Sequence, residues 1–309
     1  MLPILFKTLP FFAIIGLGWW AGRVRFFSPE ATAYLTKFVF YFALSAMLFR
    51  FSANLSIAEI FDLRFAAAYL WGCLVVYAIA MGVAFARGVS LAEAAFEAQC
   101  AVIGNTGFLG IPMLVVLLGP QAAGPVILVL AIDLVVFSSL ITIIVTASRE
   151  GQLSLGGLRV VGRGLLANPM IVSMVLGFAW GATGIAVPAP VNDFLSILGA
   201  AATPGALFAI GASLATKSAE RIEVAAWLSF AKLVLHPLAV AFAALVLFKV
   251  EREAAGVMIA AAALPVAGNI YILAAHYGVA PQRVSASILV STAVSIVTVT
   301  AVIAWLTGA

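Results

Sequence analysis

Asn105-Thr106-Gly107-Phe108-Leu109-Gly110-Ile111-Pro112 lies inside an otherwise apolar run, and two glycines with a proline in eight residues do not suit a regular helix. Proline removes a backbone donor and clashes with the preceding turn, while glycine adds backbone freedom. A second interruption, Pro265-Val266-Ala267-Gly268-Asn269, occupies another apolar run. A shift of 160 residues places Asn105 on Pro265 and Leu109 on Asn269, so the two interruptions fall at equivalent positions.

The surroundings of these breaks are those of a membrane protein. Of 309 residues, 65% are hydrophobic and 9% are charged, and the mean hydropathy is +1.20. A soluble chain keeps a charged exterior, with about 25% charged residues. The composition therefore excludes a cytosolic enzyme, a secreted domain and a disordered chain. Lipid is the solvent for most of the surface. The net charge of +4 is too small and scattered to indicate nucleic acid. Cys73 and Cys100 sit in apolar runs and read as buried thiols. There is no His-x-x-x-His, Cys-x-x-Cys or P-loop, so no metal, no cofactor, no enzymatic chemistry and no ATP drive is expected. The apolar N-terminus carries Arg23 and Arg25 after its run, not before it, and reads as a retained first span.

Ten segments match the length of a spanning helix, near 3–22, 30–50, 64–86, 95–118, 124–147, 168–185, 191–215, 224–248, 254–277 and 283–306. The expected fold class is an all-α integral membrane protein of ten transmembrane helices. The hydrophilic segment 148–167 divides them five and five. Arg23, Arg25, Arg87, Arg149, Arg159, Arg163, Lys217, Arg221 and Arg283 fall on one side, against Lys7, Arg50, Arg64, Lys249 and Arg252 on the other. The positive-inside rule makes 148–167 cytoplasmic and leaves both termini outside.

Sliding the chain by 159 superposes Pro10 on Pro169, Gly18 on Gly177, Gly22 on Gly181, Pro29 on Pro188 and Leu48-Phe49 on Leu207-Phe208. The shift equals five spans, an odd number, so the second half enters with the opposite orientation. The organisation is a first five-helix repeat (1–147), a cytoplasmic linker (148–167) and an inverted second repeat (168–309). Inverted repeats are a transporter architecture, with the site at interrupted helices near the midplane. Each break exposes a helix start with free N–H groups and positive partial charge, which favours an anion. The candidate substrate site is Asn105, Thr106, Gly107, Pro112, Pro265, Gly268 and Asn269. The competing reading is a pair of packing kinks.

The two motifs, with the five-plus-five arrangement, resemble the auxin efflux carrier family, which includes bacterial members and the plant PIN carriers. The resemblance implies a fold similar to bile-acid symporters and sodium/proton antiporters, with spans 4 and 9 as broken crossover helices. It implies a scaffold from 3–50 and 168–215 and a transport core from 64–147 and 224–306. A homodimer through spans 1, 2, 6 and 7 is the further implication. The substrates it implies are small organic anions, auxin-like or malate- and malonate-like, moved by alternating access. Asn105 and Asn269 would hold the carboxylate. The short linker points to a bacterial-type member, in the inner membrane.

Asp133 and Lys232 lie deep in apolar spans, where an ionisable group marks function by default. They are expected to face the core and to pair. Proton coupling through them is implied by the resemblance, and a purely structural ion pair is the alternative. His236, before Pro237, reads as a packing histidine or a relay. Lys37 is a candidate contact along an anion path, and His276 reads as structural. The remaining alternatives are a sodium-coupled symporter of the same fold, for which acidic ligands near the breaks are sparse, and an anion channel.

Overall fold

The computed structural model describes residues 2–55, 62–150, 155–215 and 222–308. Lys217, Arg221 and residues 151–154 of the expected linker lie outside the described residues. Among the described residues the chain is all-helical, and its one β-type contact is an isolated antiparallel bridge between Gly104 and Val266.

Among the described residues seven helices are long and apolar enough to cross a membrane: α1 (Leu2–Arg23), α2 (Pro29–Ala53), α3 (Leu63–Ala86), α6 (Pro120–Ser148), α9 (Ala189–Leu214), α10 (Ile222–Leu247) and α13 (Pro281–Thr307). The pair α7 (Leu155–Ala167) and α8 (Pro169–Gly181) adds an eighth, bent by 73°. The protein is therefore an integral membrane protein. Two further stretches are split, as their glycines and prolines predict. One is α4 (Leu91–Val102) followed by α5 (Thr106–Leu118). The other is α11 (Arg252–Ala262) followed by α12 (Asn269–Tyr277).

Local sequence fixes where these rods begin and end. Ser90 and Glu93 form a capping box at the start of α4, which satisfies otherwise orphaned N–H groups. Asn168 caps α8 through Oδ1, with Pro169 in the first turn, where no donor is needed. Glu251 caps α11, and the amides of Glu253 and then Ala254 hold its carboxylate below the usual range. Gly278, at φ 64°, closes α12 in a left-handed conformation that glycine adopts without strain.

Every described residue of the segment read as a hydrophilic linker is helical. Residues 155–167 form α7, because Leu155, Leu158, Val161 and Leu165 recur at helical spacing while Arg159 and Arg163 lower the average hydropathy. A filter for uniformly apolar runs misses an amphipathic helix of this kind.

Two sets of close packings repeat one another. A side chain on Gly18 of α1 would strike the carbonyl of Phe208 on α9, and one on Gly177 of α8 would come 2.7 Å from the carbonyl of Phe49 on α2. A side chain on Gly22 would lie 2.8 Å from the carbonyl of Ala212, and one on Gly181 would lie 3.1 Å from that of Ala53. Small residues let membrane helices approach this closely. Each member of one set sits 159 residues from its counterpart, with the partners interchanged.

At the face where α4 and α13 begin, three ion pairs join four side chains. Arg87 pairs with Glu97, and Arg283 pairs with Glu97 at 2.9 Å and with Glu93 at 2.5 Å. Glu97 is 1% exposed, and both of its carboxylate oxygens are engaged here.

Candidate functional site

The two breaks meet. The Asn105 amide donates to the Pro265 carbonyl at 2.8 Å, and the Ala267 amide donates to the Ile103 carbonyl at 3.1 Å. Val266 N–H is taken by the hydroxyl of Ser291 at 3.1 Å. Unwound backbone at membrane depth needs such partners, since lipid offers none. Each non-helical segment thus satisfies the other. Beyond the meeting point the chain turns helical at Thr106 and at Asn269, so two helix starts converge there. Both starts carry positive partial charge, although at the second the Ile270 and Tyr271 amides already donate to the Ala267 and Gly268 carbonyls, at 3.4 and 3.2 Å.

A cavity of about 1010 Å³ begins at these helix starts. Asn105, Phe108, Gly268 and Asn269 line its inner end, while Pro29, Gly164 and Pro281 line its outer end. It therefore reaches the face shared by the starts of α2 and α13. Among the described residues its lining includes Lys37 and His276 and no carboxylate. Thr36, Ser138 and Thr142 also line it. Lys37 Nζ lies 5.6 Å from the centre of the Tyr34 ring. His276, read as structural, stacks edge-on against Tyr277 and lines the cavity. α7 supplies Val160, Val161, Gly164 and Leu165 to the wall, so part of the expected linker encloses the site.

The expected site residues divide by place. Thr106 and Gly107 line a smaller chamber behind the cavity, with Asn105 and Asn269 shared between the two. Pro265 holds Asn105 in position through its carbonyl. Pro112 is buried in the first α-helical turn after the break and shapes the helix without lining either space.

Asp133, Lys232 and His236 are 3%, 0% and 0% exposed. Asp133 and Lys232 each fall in a π-helical turn, Asp133–Phe137 and Ala231–Leu235. Such wide turns recur at functional positions. Tyr69 donates to Asp133 Oδ1 at 2.9 Å, and Thr106 reaches Oδ2 at 3.4 Å. Lys232 donates to the carbonyl of Ala262, at the end of α11, and lies 3.2 Å from His236 Nδ1. His236 also contacts Cys73 Sγ at 3.1 Å. The expected direct pair is not formed: among the described residues the ion pairs are those of Arg87 and Arg283. The last-turn carbonyl of α11, at the negative end of a helix, takes the ammonium instead. Asp133 and Lys232 interact through space across the break.

Tyr69, Ser291 and Phe40, whose ring lines both the cavity and the smaller chamber, have no place among the expected site residues. Tyr69 carried a signal, a phenol in mid-span needing a partner. Ser291 and Phe40 carried none, since both residue types are ordinary in membrane helices.

Comparison with known proteins finds membrane transporters. A family model described as "Membrane transport protein" matches residues 3–303. A protein of Rhizobium meliloti (strain 1021) named "Putative malonate transporter" is 29% identical over 300 residues, covering 95% of this chain and 92% of that protein. The "Uncharacterized transporter YfdV" of Escherichia coli (strain K12) is 27% identical over 293 residues, covering 92% and 91%.

Proposed function

The chain belongs to the membrane transport protein family, the one its two motifs indicated, and on that premise we propose that it carries small organic anions, malonate-like dicarboxylates first, by alternating access. The observation that carries the reading is the meeting of two interrupted helices at the inner end of a cavity whose described lining holds no carboxylate. Two helix starts, with Asn105 and Asn269, offer donors and positive partial charge to a carboxylate. Lys37 serves the second carboxylate along the path. The name of the Rhizobium relative supports the dicarboxylate class.

In this reading the two split stretches and the bent pair each count as one span, which makes ten. The halves 1–147 and 168–309 are inverted repeats, supported by the interchanged packing of Gly18 with Phe208 and Gly177 with Phe49. The scaffold is 3–50 and 168–215, and the transport core is 64–147 and 224–306. Consistent with that division, α1 and α9 pack closely, as do α2 and α8. The protein resides in a bacterial inner membrane with both termini outside and dimerises through spans 1, 2, 6 and 7. The cavity then opens to the cytoplasm, on the side of Arg23, Arg25, Arg159 and Arg163.

Counterflow tests this directly. Proteoliposomes preloaded with unlabelled malonate should take up external labelled malonate transiently, well above empty vesicles and with saturation. A flux that does not saturate and needs no internal substrate would indicate a channel. No uptake across a panel of mono- and dicarboxylates would remove the reading.

A further inference from the structure

The inner end of the cavity combines a polar pair with an apolar wall. Among the described residues, five border both the cavity and the smaller chamber: Asn105, Asn269, Phe40, Phe108 and Leu134. The two asparagines bring hydrogen-bonding side chains, and the other three bring hydrocarbon. Phe40 comes from α2, Phe108 from α5 and Leu134 from α6, so three helices build the wall.

The two rings are held in place by their surroundings. They lie parallel within 6°, with centroids 6.3 Å apart. Each belongs to a π-helical turn, Val39–Ala43 in α2 and Thr106–Gly110 in α5. Asn105 O accepts from the amides of Leu109 and Gly110, at 3.0 and 2.9 Å, which fixes the turn that carries Phe108. The Phe40 ring packs edge-on against Tyr41, with centroids 5.4 Å apart. Both phenylalanines are half-buried, so each keeps apolar surface toward the open space.

The wall discriminates by chemistry as well as by shape. Thr106, next to Asn105, turns its hydroxyl to Gly104 O and Asp133 Oδ2, both at 3.4 Å. Farther out, Thr36 and Thr142 donate to carbonyls of their own helices, each at 2.7 Å. A carboxylate held by the asparagines sets its next carbon against Phe40, Phe108 and Leu134. A methyl group on that carbon gains by leaving water. A hydroxyl of almost the same size gives up its water partners and meets hydrocarbon. Lys37 lies three residues before Phe40, one turn farther out on α2, so the second carboxylate passes the rings on its way to that ammonium.

We propose that Phe40, Phe108 and Leu134 determine specificity: they admit dicarboxylates bearing hydrogen or alkyl beside the bound carboxylate and reject those bearing hydroxyl there. The proposal rests on the transport reading above and narrows its substrate class, setting malonate-like acids apart from malate-like ones.

Purified protein is titrated with malonate, methylmalonate and hydroxymalonate, and the concentration giving half-maximal thermal stabilisation is read for each. The last two keep both carboxylates and differ by the exchange of a methyl for a hydroxyl. The hydroxymalonate midpoint should be at least about tenfold higher than that of methylmalonate, since an apolar pocket rejects a hydroxyl isostere by up to about a hundredfold. Phe108→Leu, which keeps the wall apolar, should retain the ratio, and Phe108→Gln, which puts an amide into the wall, should bring it toward one. Where a variant does not purify as a monodisperse protein, the wild-type ratio still decides. Equal wild-type midpoints, or a lower one for hydroxymalonate, overturn the wall and leave the transport reading intact. A ratio that Phe108→Gln leaves unchanged overturns the assignment to Phe108. Stabilisation by none of the three acids overturns the transport reading and the wall with it.

Discussion

Replacing Asn105 or Asn269 by Ala is expected to weaken malonate binding ten- to hundredfold while the protein still folds. A hydrogen bond to a charged group contributes about 1.5–3 kcal/mol, and about 1.4 kcal/mol corresponds to a factor of ten. The fold should survive because the contacts that join the breaks use backbone. Asn105 meets Pro265 through its amide N–H, which alanine retains. Among the described residues the Asn269 side chain likewise makes no hydrogen bond that the packing needs, and its Oδ1 is unpaired. The side chains are thus free for a ligand while the main chain keeps the shape. The measurement is the malonate concentration giving half-maximal thermal stabilisation of purified protein. Wild-type midpoints in both variants would remove the two asparagines from the site.

The second large effect lies at Lys232. Its side chain is fully buried, and methionine matches its length without the charge. Lys232→Met leaves the Ala262 carbonyl without its charged donor and Asp133 without its compensating cation. Leaving a buried acceptor without its charged donor costs about 1–3 kcal/mol, and an uncompensated Asp133 adds to that. The variant should show a strongly lowered thermal midpoint in detergent. Adding Asp133→Asn should recover part of the loss, because the second change removes the stranded charge. Coupled sites depart from additivity by about 0.5–3 kcal/mol. Strictly additive shifts would mean that the two charges do not sense each other and that each is held by its own hydrogen bonds.

Much of this arrangement is legible in the residue order. Proline and glycine interrupt helices for local steric reasons, so Gly107, Gly110, Pro112, Pro265 and Gly268 locate both breaks without any tertiary information. The shift of 159 residues finds Gly18 and Gly177 because each lies where a neighbouring backbone approaches too closely for a side chain. Depth also singles out Asp133, Lys232 and His236, since a charge in lipid is expensive. What the order does not carry is direction. Nothing in a run of apolar residues says that Lys232 turns to Ala262 instead of Asp133, or that Glu97 is consumed by Arg87 and Arg283. These choices depend on side-chain rotation and on neighbours distant in the chain. Amphipathic α7 escapes for a different reason: its arginines dilute the very average by which spans are found.

The interchanged glycine seats bear on how the chain is made. The groove that receives α1 belongs to α9, and α8 settles onto α2, which was synthesised long before. A nascent chain ending before residue 202 therefore holds α1 in the bilayer with Gly18 and Gly22 bare toward lipid. Bundle closure is consequently a late event of biogenesis, and an insertion chaperone or a neighbouring nascent copy would find that bare stripe open meanwhile. Stalled chains released at successive lengths should gain protease resistance in one step, once α9 has left the ribosome; a gradual gain would show that the early helices had found another seat.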